Sequence, residues 1–300
     1  MLARLCYAAL RTFGIPTLAR RWQDGGVILC YHNVVAADAR CGDLSLHMPV
    51  EAFARQMRWL AAHCEVVSLP QFLGRLESGG LLRGVATVTF DDGYAGVFTH
   101  AWPLLVELGI PATTFIVADA PGRSRSFWWD HSAVQQHADP ARHEQWLTKL
   151  HGDGQAILGS LSLPPTADPL PDSYAPAAWQ EIARVAAAGM GLGAHSATHR
   201  SLPTLSDAQL ARELVASRET IARETGVHPE CFAYPYGRWD ARVRDAVRAA
   251  GYRAAVALDY GLNHGDADPW ALRRVNIPAG ISDAAFAAWA SGIRLRRQPS

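Results

Sequence analysis

Apolar residues along this chain occur either as short uninterrupted runs or at helical spacing, and the two kinds of segment alternate. The short runs predict buried β-strands at 27–32, 85–90, 112–117, 191–194, 231–234, 254–258 and 272–277. The helical spacing predicts helices at 50–64, 69–76, 97–108, 177–188, 206–225 and 241–250. Such alternation is typical of an α/β protein whose mostly parallel sheet is either open or closed as a barrel.

The alternation breaks down between about residues 121 and 176. Charged residues, Pro, Ser and Gly are mixed there with Trp128, Trp129 and Trp146, and only the stretch near 140–151 has helical spacing. We expect a long, irregular insertion with one helix. The barrel domain as a whole is expected to span 25–295, which is an ordinary length for an α/β barrel.

The first 24 residues form a separate segment that we expect to be helical. Its basic residues, Arg4, Arg11, Arg20 and Arg21, are spread among apolar ones, whereas a signal peptide places its charge before a clean apolar core. The favoured interpretation is a short helix that packs on the domain. The alternative is a basic amphipathic helix on an inner membrane face. We therefore expect a cytoplasmic protein, with peripheral attachment to the inner membrane as the alternative.

Composition excludes several classes of protein. Lys and Arg number 28, as do Asp and Glu, so no overall positive field attracts nucleic acid. The five Cys are scattered and lack CxxC spacing, which argues against a disulfide framework or a zinc ribbon and fits a reducing compartment. No run reaches the roughly 18–20 apolar residues that cross a bilayer. No pattern indicates the oligomeric state.

Two adjacent carboxylates, Asp91 and Asp92, follow the strand predicted at 85–90, and Gly93 permits a sharp exit. Barrel enzymes carry catalytic groups at the C-terminal ends of their strands. Neighbouring side chains diverge in an extended segment, so one carboxylate can bind a metal ion while the other faces the substrate. Taken alone, the pair is also typical of a solvated Asp-Gly turn.

A pair of histidines, His195 and His199, follows the strand predicted at 191–194. Four residues apart in a turn or helical loop, the two imidazoles can face one way and share a metal ion. Together with one aspartate they would form a three-ligand site with open positions for water and a substrate oxygen. Such an ion lowers the pKa of bound water and polarises a carbonyl group.

Three segments together resemble successive motifs of the polysaccharide deacetylase family, carbohydrate esterase family four. They are Thr-Phe-Asp-Asp-Gly at 89–93, His-Ser-Ala-Thr-His at 195–199 and Tyr-Pro-Tyr-Gly at 234–237. The resemblance covers roughly residues 25–290. It implies a distorted (β/α) barrel and metal-dependent removal of N-acetyl groups from N-acetylhexosamine units of a bacterial cell-surface polysaccharide or its precursor. The implied cofactor is one divalent metal ion, zinc in preference to cobalt or nickel, and the implied partner is an acetylated carbohydrate.

The same resemblance implies roles for individual residues. Asp91 would be the general base, and the metal ligands would be Asp92, His195 and His199. The backbone N–H of Tyr236, after Pro235, would help to hold the oxyanion. Tyr94, Trp129 and Pro235 are expected to line the substrate pocket, although the tryptophans of the insertion would equally serve to pin it to the barrel.

The sequence departs from the common family pattern in two places. The family pattern often has an Arg a few residues before the Pro of the third motif, but here Cys231, Phe232 and Ala233 precede Tyr234. Arg274 is our candidate replacement, because an Arg beside Asp91 would keep that carboxylate ionised. The late Leu-x-His motif that usually supplies the general acid is also missing. Instead, Tyr31-His32 resembles the early Tyr-His motif of poly-N-acetylglucosamine deacetylases. We expect His32, protonated near neutral pH, to protonate the leaving amine, with His264 as the alternative.

Two other functions stay open at this stage. The missing Arg and the missing late His are compatible with a carbohydrate-binding relative whose catalysis is impaired. An O-acetyl esterase would use the same metal site on a different bond.

Overall fold

The computed structural model describes residues 2–36, 43–122, 127–164 and 170–295. Its strands are β1 (Val27–Tyr31), β2 (Asn33–Val35), β3 (His47–Pro49), β4 (Glu65–Val66), β5 (Val85–Phe90), β6 (Ala112–Ile116), β7 (Gly191–Ala194), β8 (Cys231–Ala233), β9 (Ala254–Val256) and β10 (Val275–Asn276). The strand predicted at 272–277 is therefore shorter than expected. The other predicted strands are present, and β2, β3 and β4 are additional.

The main sheet is parallel throughout and runs in the order β10-β1-β5-β6-β7-β8-β9, with β4 added beside β5. It closes because residues 272–277, which include β10, bond to β1 on one side and to the end of β9 on the other. The N–H of Ala257 donates to the Leu272 carbonyl at 2.8 Å, and the N–H of Ile277 donates to the Cys30 carbonyl at 2.9 Å. The expected distorted (β/α) barrel with mostly parallel strands is confirmed.

The barrel strands are buried on both faces, which is why they read as uninterrupted apolar runs rather than alternating ones. Every residue of β1 and β5 is buried. Ile28 packs in one cluster with Phe115 and Phe72, whereas its neighbour Leu29 belongs to the larger cluster beneath the surrounding helices. Successive side chains thus fill two apolar layers.

The helices are α1 (Leu2–Thr12), α2 (Ile15–Trp22), α3 (Val50–His63), α4 (Leu69–Glu77), α5 (Trp102–Glu107), α6 (Ser132–His137), α7 (Pro140–Lys149), α8 (Gly154–Ser160), α9 (Trp179–Ala187), α10 (Asp207–Thr225), α11 (Ala241–Ala249) and α12 (Asp283–Trp289). A π-helical turn at Val97–Ala101 leads into α5, so the helix predicted at 97–108 begins irregularly. Helix α10 starts with a capping box in which Ser206 and Gln209 bond reciprocally.

The insertion differs from the sequence-based expectation, because its described part contains α6, α7 and α8 rather than one helix. Short helices of this kind depend on their caps. Asp139 accepts a hydrogen bond from the N–H of Arg142, and Asp153 accepts bonds from the first turn of α8. Residues 123–126 and 165–169 of the expected insertion lie outside the described residues.

The N-terminal segment forms two helices that lie against the end of the barrel domain. Tyr7 is buried, and its hydroxyl accepts hydrogen bonds from Trp289 Nε1 at 2.8 Å and from the N–H of Leu295 at 3.0 Å. Neither of these helices, nor any other in the described part of the chain, is long and apolar enough to cross a membrane.

Candidate metal and catalytic centre

The carboxyl ends of four barrel strands bring the predicted site residues together at one end of the barrel. His32 follows β1, Asp91 and Asp92 follow β5, His195 follows β7, and Tyr234 follows β8. This is the end at which α/β barrels place their reactive groups.

Asp92, His195 and His199 point one atom each at a common centre. Asp92 Oδ1 lies 3.5 Å from His195 Nε2 and 3.3 Å from His199 Nε2, and the two nitrogens are 3.2 Å apart. Four ligands bound tetrahedrally at zinc distances of about 2.0–2.1 Å stand roughly 3.3 Å from one another. The three atoms therefore have the spacing of three corners of a zinc tetrahedron.

The hydrogen bonding of the same residues also fits a cation. Asp92 Oδ1 is buried and has no hydrogen-bond partner in the described structure, a costly arrangement for a carboxylate. His195 Nδ1 lies 2.8 Å from the Ala233 carbonyl, so this nitrogen carries the proton and Nε2 keeps its lone pair. The donor set of one oxygen and two nitrogens suits a divalent ion such as zinc.

The charges of the three residues agree with this assignment. Burial, followed by repulsion from Asp91 and Asp130, raises the pKa of Asp92 well above its usual range. Burial lowers the pKa of His195 and His199. Both imidazoles are thus neutral and able to bind a metal ion, and a divalent cation would supply the positive charge that an ionised Asp92 requires.

Glu213 of α10 holds the loop that carries the two histidines. Its carboxylate accepts hydrogen bonds from the N–H groups of Ala197 and Thr198 at 3.0 and 2.9 Å, and from the Thr198 hydroxyl. The loop needs such support because Ser196 and His199 have φ angles of 63° and 60°, which are unfavourable for residues with a Cβ atom.

Arg274 lies against Asp91. Its Nη1 and Nη2 donate to the two carboxylate oxygens at 2.7 Å each, and its Nε donates to the Ala257 carbonyl at 3.0 Å. Burial alone would raise the pKa of Asp91, but the charge and the hydrogen bonds of Arg274 outweigh it and hold that pKa well below its usual range. Asp91 is therefore ionised and fixed in orientation. Its role as the base stays a prediction.

His32 and Cys30 lie beside Asp91. Each of the three offers one atom, and these atoms are all within 4.8 Å of one another. Cys30 Sγ is 3.5 Å from Asp91 Oδ2. Burial lowers the pKa of His32 to about 4, although Asp91 opposes this shift. The expectation of an imidazole protonated near neutral pH is therefore wrong for the free protein, because desolvation outweighs the nearby carboxylate.

His264, the alternative acid, lies at the other end of the barrel. It is exposed, and it packs beside Gly25, ahead of the start of β1. The length of β1 separates it from His32, which follows the same strand. The structure thus brings His32, and not His264, to the candidate centre.

Tyr94 is placed differently from the expectation that it lines the substrate pocket. It is fully buried; its hydroxyl donates to Asp130 Oδ2 at 2.7 Å and accepts from Trp129 Nε1 at 2.7 Å. Asp130 in turn lies 2.7 Å from His47 Nε2. Since its hydroxyl is already bonded on both sides, Tyr94 positions Trp129 instead of contacting a ligand.

Aromatic rings cover His199, one of the two candidate metal-binding histidines. The rings of Trp129 and Tyr236 lie 4.6 and 4.5 Å from that of His199. Phe127 stacks on Trp129 at 4.7 Å, and both are buried, so the aromatic residues of the insertion pin it to the barrel. Tyr236 has a φ of 59° behind the buried Pro235.

A cavity of about 610 Å³ lies between the insertion and the start of α10, beside the loop that carries His195 and His199. Trp128, Trp129 and Leu158 supply apolar lining, while His199 and Arg212 supply polar lining. Its size falls within the usual range of ligand pockets, roughly 300–1,000 Å³.

Comparison with known proteins assigns the family. A family model described as polysaccharide deacetylase matches residues 80–255. The chain belongs to the polysaccharide deacetylase family. As a member of that family it is a hydrolase, and the family is in general metal-dependent.

Among curated proteins, it is 21% identical over 269 residues to the putative polysaccharide deacetylase YxkH of Bacillus subtilis, covering 89% of this chain and 76% of that protein. It is 30% identical over 73 residues to the poly-beta-1,6-N-acetyl-D-glucosamine N-deacetylase of Staphylococcus epidermidis, covering 24% of this chain and 25% of that protein.

Solved structures share the fold of this family member. IcaB from Ammonifex degensii has a TM-score of 0.63 and 22% identity, over 90% of this chain and 98% of that chain. The Streptococcus pyogenes deacetylase PplD, in complex with acetate, has a TM-score of 0.62 and 16% identity, over 86% of this chain and 94% of that chain.

Sequence reasoning missed several residues of the centre in this deacetylase-family chain. They are Cys30, His47, Asp130 and Glu213. Cys30 carried a usable signal, because it lies two positions before His32 in the strand predicted at 27–32. Glu213 gave a weaker one, as a charged residue beside Leu210 and Leu214 on the buried side of α10.

Proposed function

We propose that this protein is a metal-dependent deacetylase that removes N-acetyl groups from N-acetylhexosamine units of a cell-surface polysaccharide or its precursor. The observation that carries the proposal is the tetrahedral spacing of Asp92, His195 and His199 beside the Arg274-bound Asp91. The named substrates of the Staphylococcus relatives support poly-N-acetylglucosamine or a similar glycan.

One divalent cation, zinc by the donor set, would be held by Asp92, His195 and His199 and would polarise the acetyl carbonyl. Asp91, kept ionised by Arg274, accepts a proton from the attacking water. As the C–O bond to that water forms, the N–H of Tyr236 donates to the developing oxyanion. The products are acetate and a free amine.

His32 is suited to carry the proton to the amine. It is neutral before the reaction, since its pKa lies near 4, and one of its ring nitrogens is within 4.8 Å of an Asp91 oxygen. Through one bridging water it can therefore receive the proton that Asp91 takes from the attacking water. Protonated in this way, it acts as the general acid when the C–N bond breaks.

The ion pair between Arg274 and Asp91 weakens the case for a purely carbohydrate-binding relative. That alternative depended on a missing Arg and a missing acid. Arg274 occupies the place beside the base, and His32 lies at the same end of the barrel.

Acetate release from N-acetylated and O-acetylated oligosaccharides, measured at equal metal load, tests the proposal. We expect a chelator to abolish release from the N-acetylated substrate and zinc to restore it. We expect Asp91→Asn to fold with reduced stability, because the buried Arg274 loses its charged partner, and to lose at least about a hundredfold in rate, as loss of a general base does.

Asp207→Asn is the matched control, because Asp207 is an exposed aspartate on α10. Full activity of Asp91→Asn or of the chelated protein would refute the mechanism. Release from O-acetylated substrates alone would favour the esterase, and sugar binding without any release would favour the binding protein.

A further inference from the structure

Helix α2 carries its apolar face outward. Ile15, Leu18 and Trp22 are three and four residues apart, so they share one side of the helix. Their exposed fractions are 36%, 48% and 80%. Phe13, in the turn before α2, is also exposed. The apolar face of an amphipathic helix ordinarily packs on a core, so an outward one needs a partner.

The opposite side of the two helices is fixed to the domain. The Arg20 guanidinium stacks 4.8 Å above the Trp59 ring and donates to Ser291 Oγ at 3.3 Å. Pro16 is buried, and Tyr7 of α1 is bonded to Trp289. Because these contacts occupy the inner side, the apolar face of α2 stays at the surface.

The two N-terminal helices carry a net positive charge. The four arginines of residues 2–23 are accompanied by no Asp or Glu. Arg11 also lines a cavity of about 250 Å³ together with Arg55 and Arg58. The acidic residue among the lining side chains is Asp283, which is already paired with Arg55.

We propose that α1 and α2 bind the surface of a bilayer that contains anionic lipid. Ile15, Leu18 and Trp22 would enter the boundary between headgroups and acyl chains, where Trp is favoured. The exposed Arg4, Arg11 and Arg21 would contact lipid phosphates, whereas Arg20 is held on the inner side. A second copy of the chain fits less well, because it would bring two sets of arginines together without acidic partners. The proposal concerns attachment only and does not depend on the proposed catalytic function.

Vesicle co-sedimentation of the whole chain tests this inference. We expect binding to vesicles of phosphatidylcholine and phosphatidylglycerol, and much weaker binding to phosphatidylcholine alone or at high salt. The double variant Leu18→Ser, Trp22→Ser should bind the mixed vesicles at least about tenfold more weakly, because both inserted side chains are lost. The double variant Arg11→Ser, Arg58→Ser should show weaker binding and a smaller salt dependence.

The matched controls are Leu81→Ser with Val106→Ser, which removes two exposed apolar side chains elsewhere, and Arg184→Ser with Arg223→Ser, which removes two exposed arginines. Circular dichroism checks that each variant is folded. If the Leu18→Ser, Trp22→Ser protein does not fold, the binding of the Arg11→Ser, Arg58→Ser protein decides the test. Equal binding by test and control variants, or no binding to mixed vesicles, would overturn the proposal. The proposal would also fail if analytical sedimentation showed that the wild type is a dimer and that the Leu18→Ser, Trp22→Ser variant is a monomer.

Discussion

At the scale of single residues, the centre depends on buried charges that compensate one another. Arg274 and Asp91 stand 183 positions apart in the sequence, yet they form a bidentate ion pair with almost no access to solvent. Removing either partner would leave an uncompensated buried charge. The positive charge beside Asp91 also keeps that carboxylate ionised while its neighbour Asp92 resists ionisation. Two adjacent aspartates thereby acquire different properties.

His32 gives a prediction about stability and pH. Its pKa is 6.5 in the unfolded chain and about 4 in the folded one, so between these values the unfolded state binds the additional proton. Stability is therefore lost as the pH falls from about 6.5 towards 4. A pKa shift of one unit corresponds to about 1.4 kcal/mol of unfolding free energy. We therefore expect the unfolding free energy of metal-free His32→Asn to fall by roughly 1–3 kcal/mol less than that of the wild type over this pH range.

Denaturant unfolding at neutral pH and near pH 4 measures this difference. His228→Asn, at an exposed histidine, is the control and should behave as the wild type. Identical losses in the wild type and in His32→Asn would show that His32 is not held neutral by burial.

Residues of the centre were predictable from sequence where they stand in local motifs after recognisable strands, as Asp92 and His199 do. Arg274 was a candidate only because the usual Arg was missing. The protonation state of His32 was not predictable, since it depends on desolvation by residues brought together in three dimensions. The bond between His47 and Asp130 joins positions 83 apart, and no local pattern indicates it.

At the scale of elements, the loop between β7 and α10 is an irregular segment that a helix side chain holds in place. Glu213 comes from the second turn of α10 and bonds to the backbone beside His199. We expect Glu213→Gln to weaken zinc binding about ten- to a hundredfold, as loss of an outer support of a metal ligand does. The metal-free variant should also lose about 1–3 kcal/mol of stability.

Zinc affinity, measured by competition with a chromogenic chelator, checks this expectation. Glu219→Gln on the exposed side of the same helix is the control and should leave both quantities unchanged. A folded Glu213→Gln protein with wild-type zinc affinity would mean that the loop holds its shape without this carboxylate.

Elements themselves were predictable from hydrophobic spacing where they are long or fully buried, as α10 and β5 are. The helices α6 and α8 were not, because each is at most seven residues long and too short for a periodic pattern. Their helical state depends on caps and on packing of the aromatic residues around Trp129. Helix α12 was also missed, since Ala dominates its buried face.

At the scale of the whole molecule, a cation would link separate parts of the barrel. Asp92 follows β5, and both histidines follow β7, with β6 between these strands. Binding to the folded state alone adds stability by mass action, about 2.7 kcal/mol at a metal concentration one hundred times the dissociation constant. The unbound centre, by contrast, contains a buried carboxylate oxygen without a partner. The proposed metal-binding function would therefore oppose the stability of the metal-free barrel.

We therefore expect Asp92→Asn to have opposite effects on the stability of the protein in the absence and in the presence of metal. Metal-free Asp92→Asn should be at least as stable as the metal-free wild type, because an uncharged amide replaces a carboxylate that burial disfavours. It should also lose the zinc-dependent rise in melting temperature. Thermal unfolding with chelator and with excess zinc measures both effects, and Asp207→Asn, which should follow the wild type in each, is the control. If Asp92→Asn retained the full zinc-dependent rise, Asp92 would not be a ligand, and the assignment of the centre would fail.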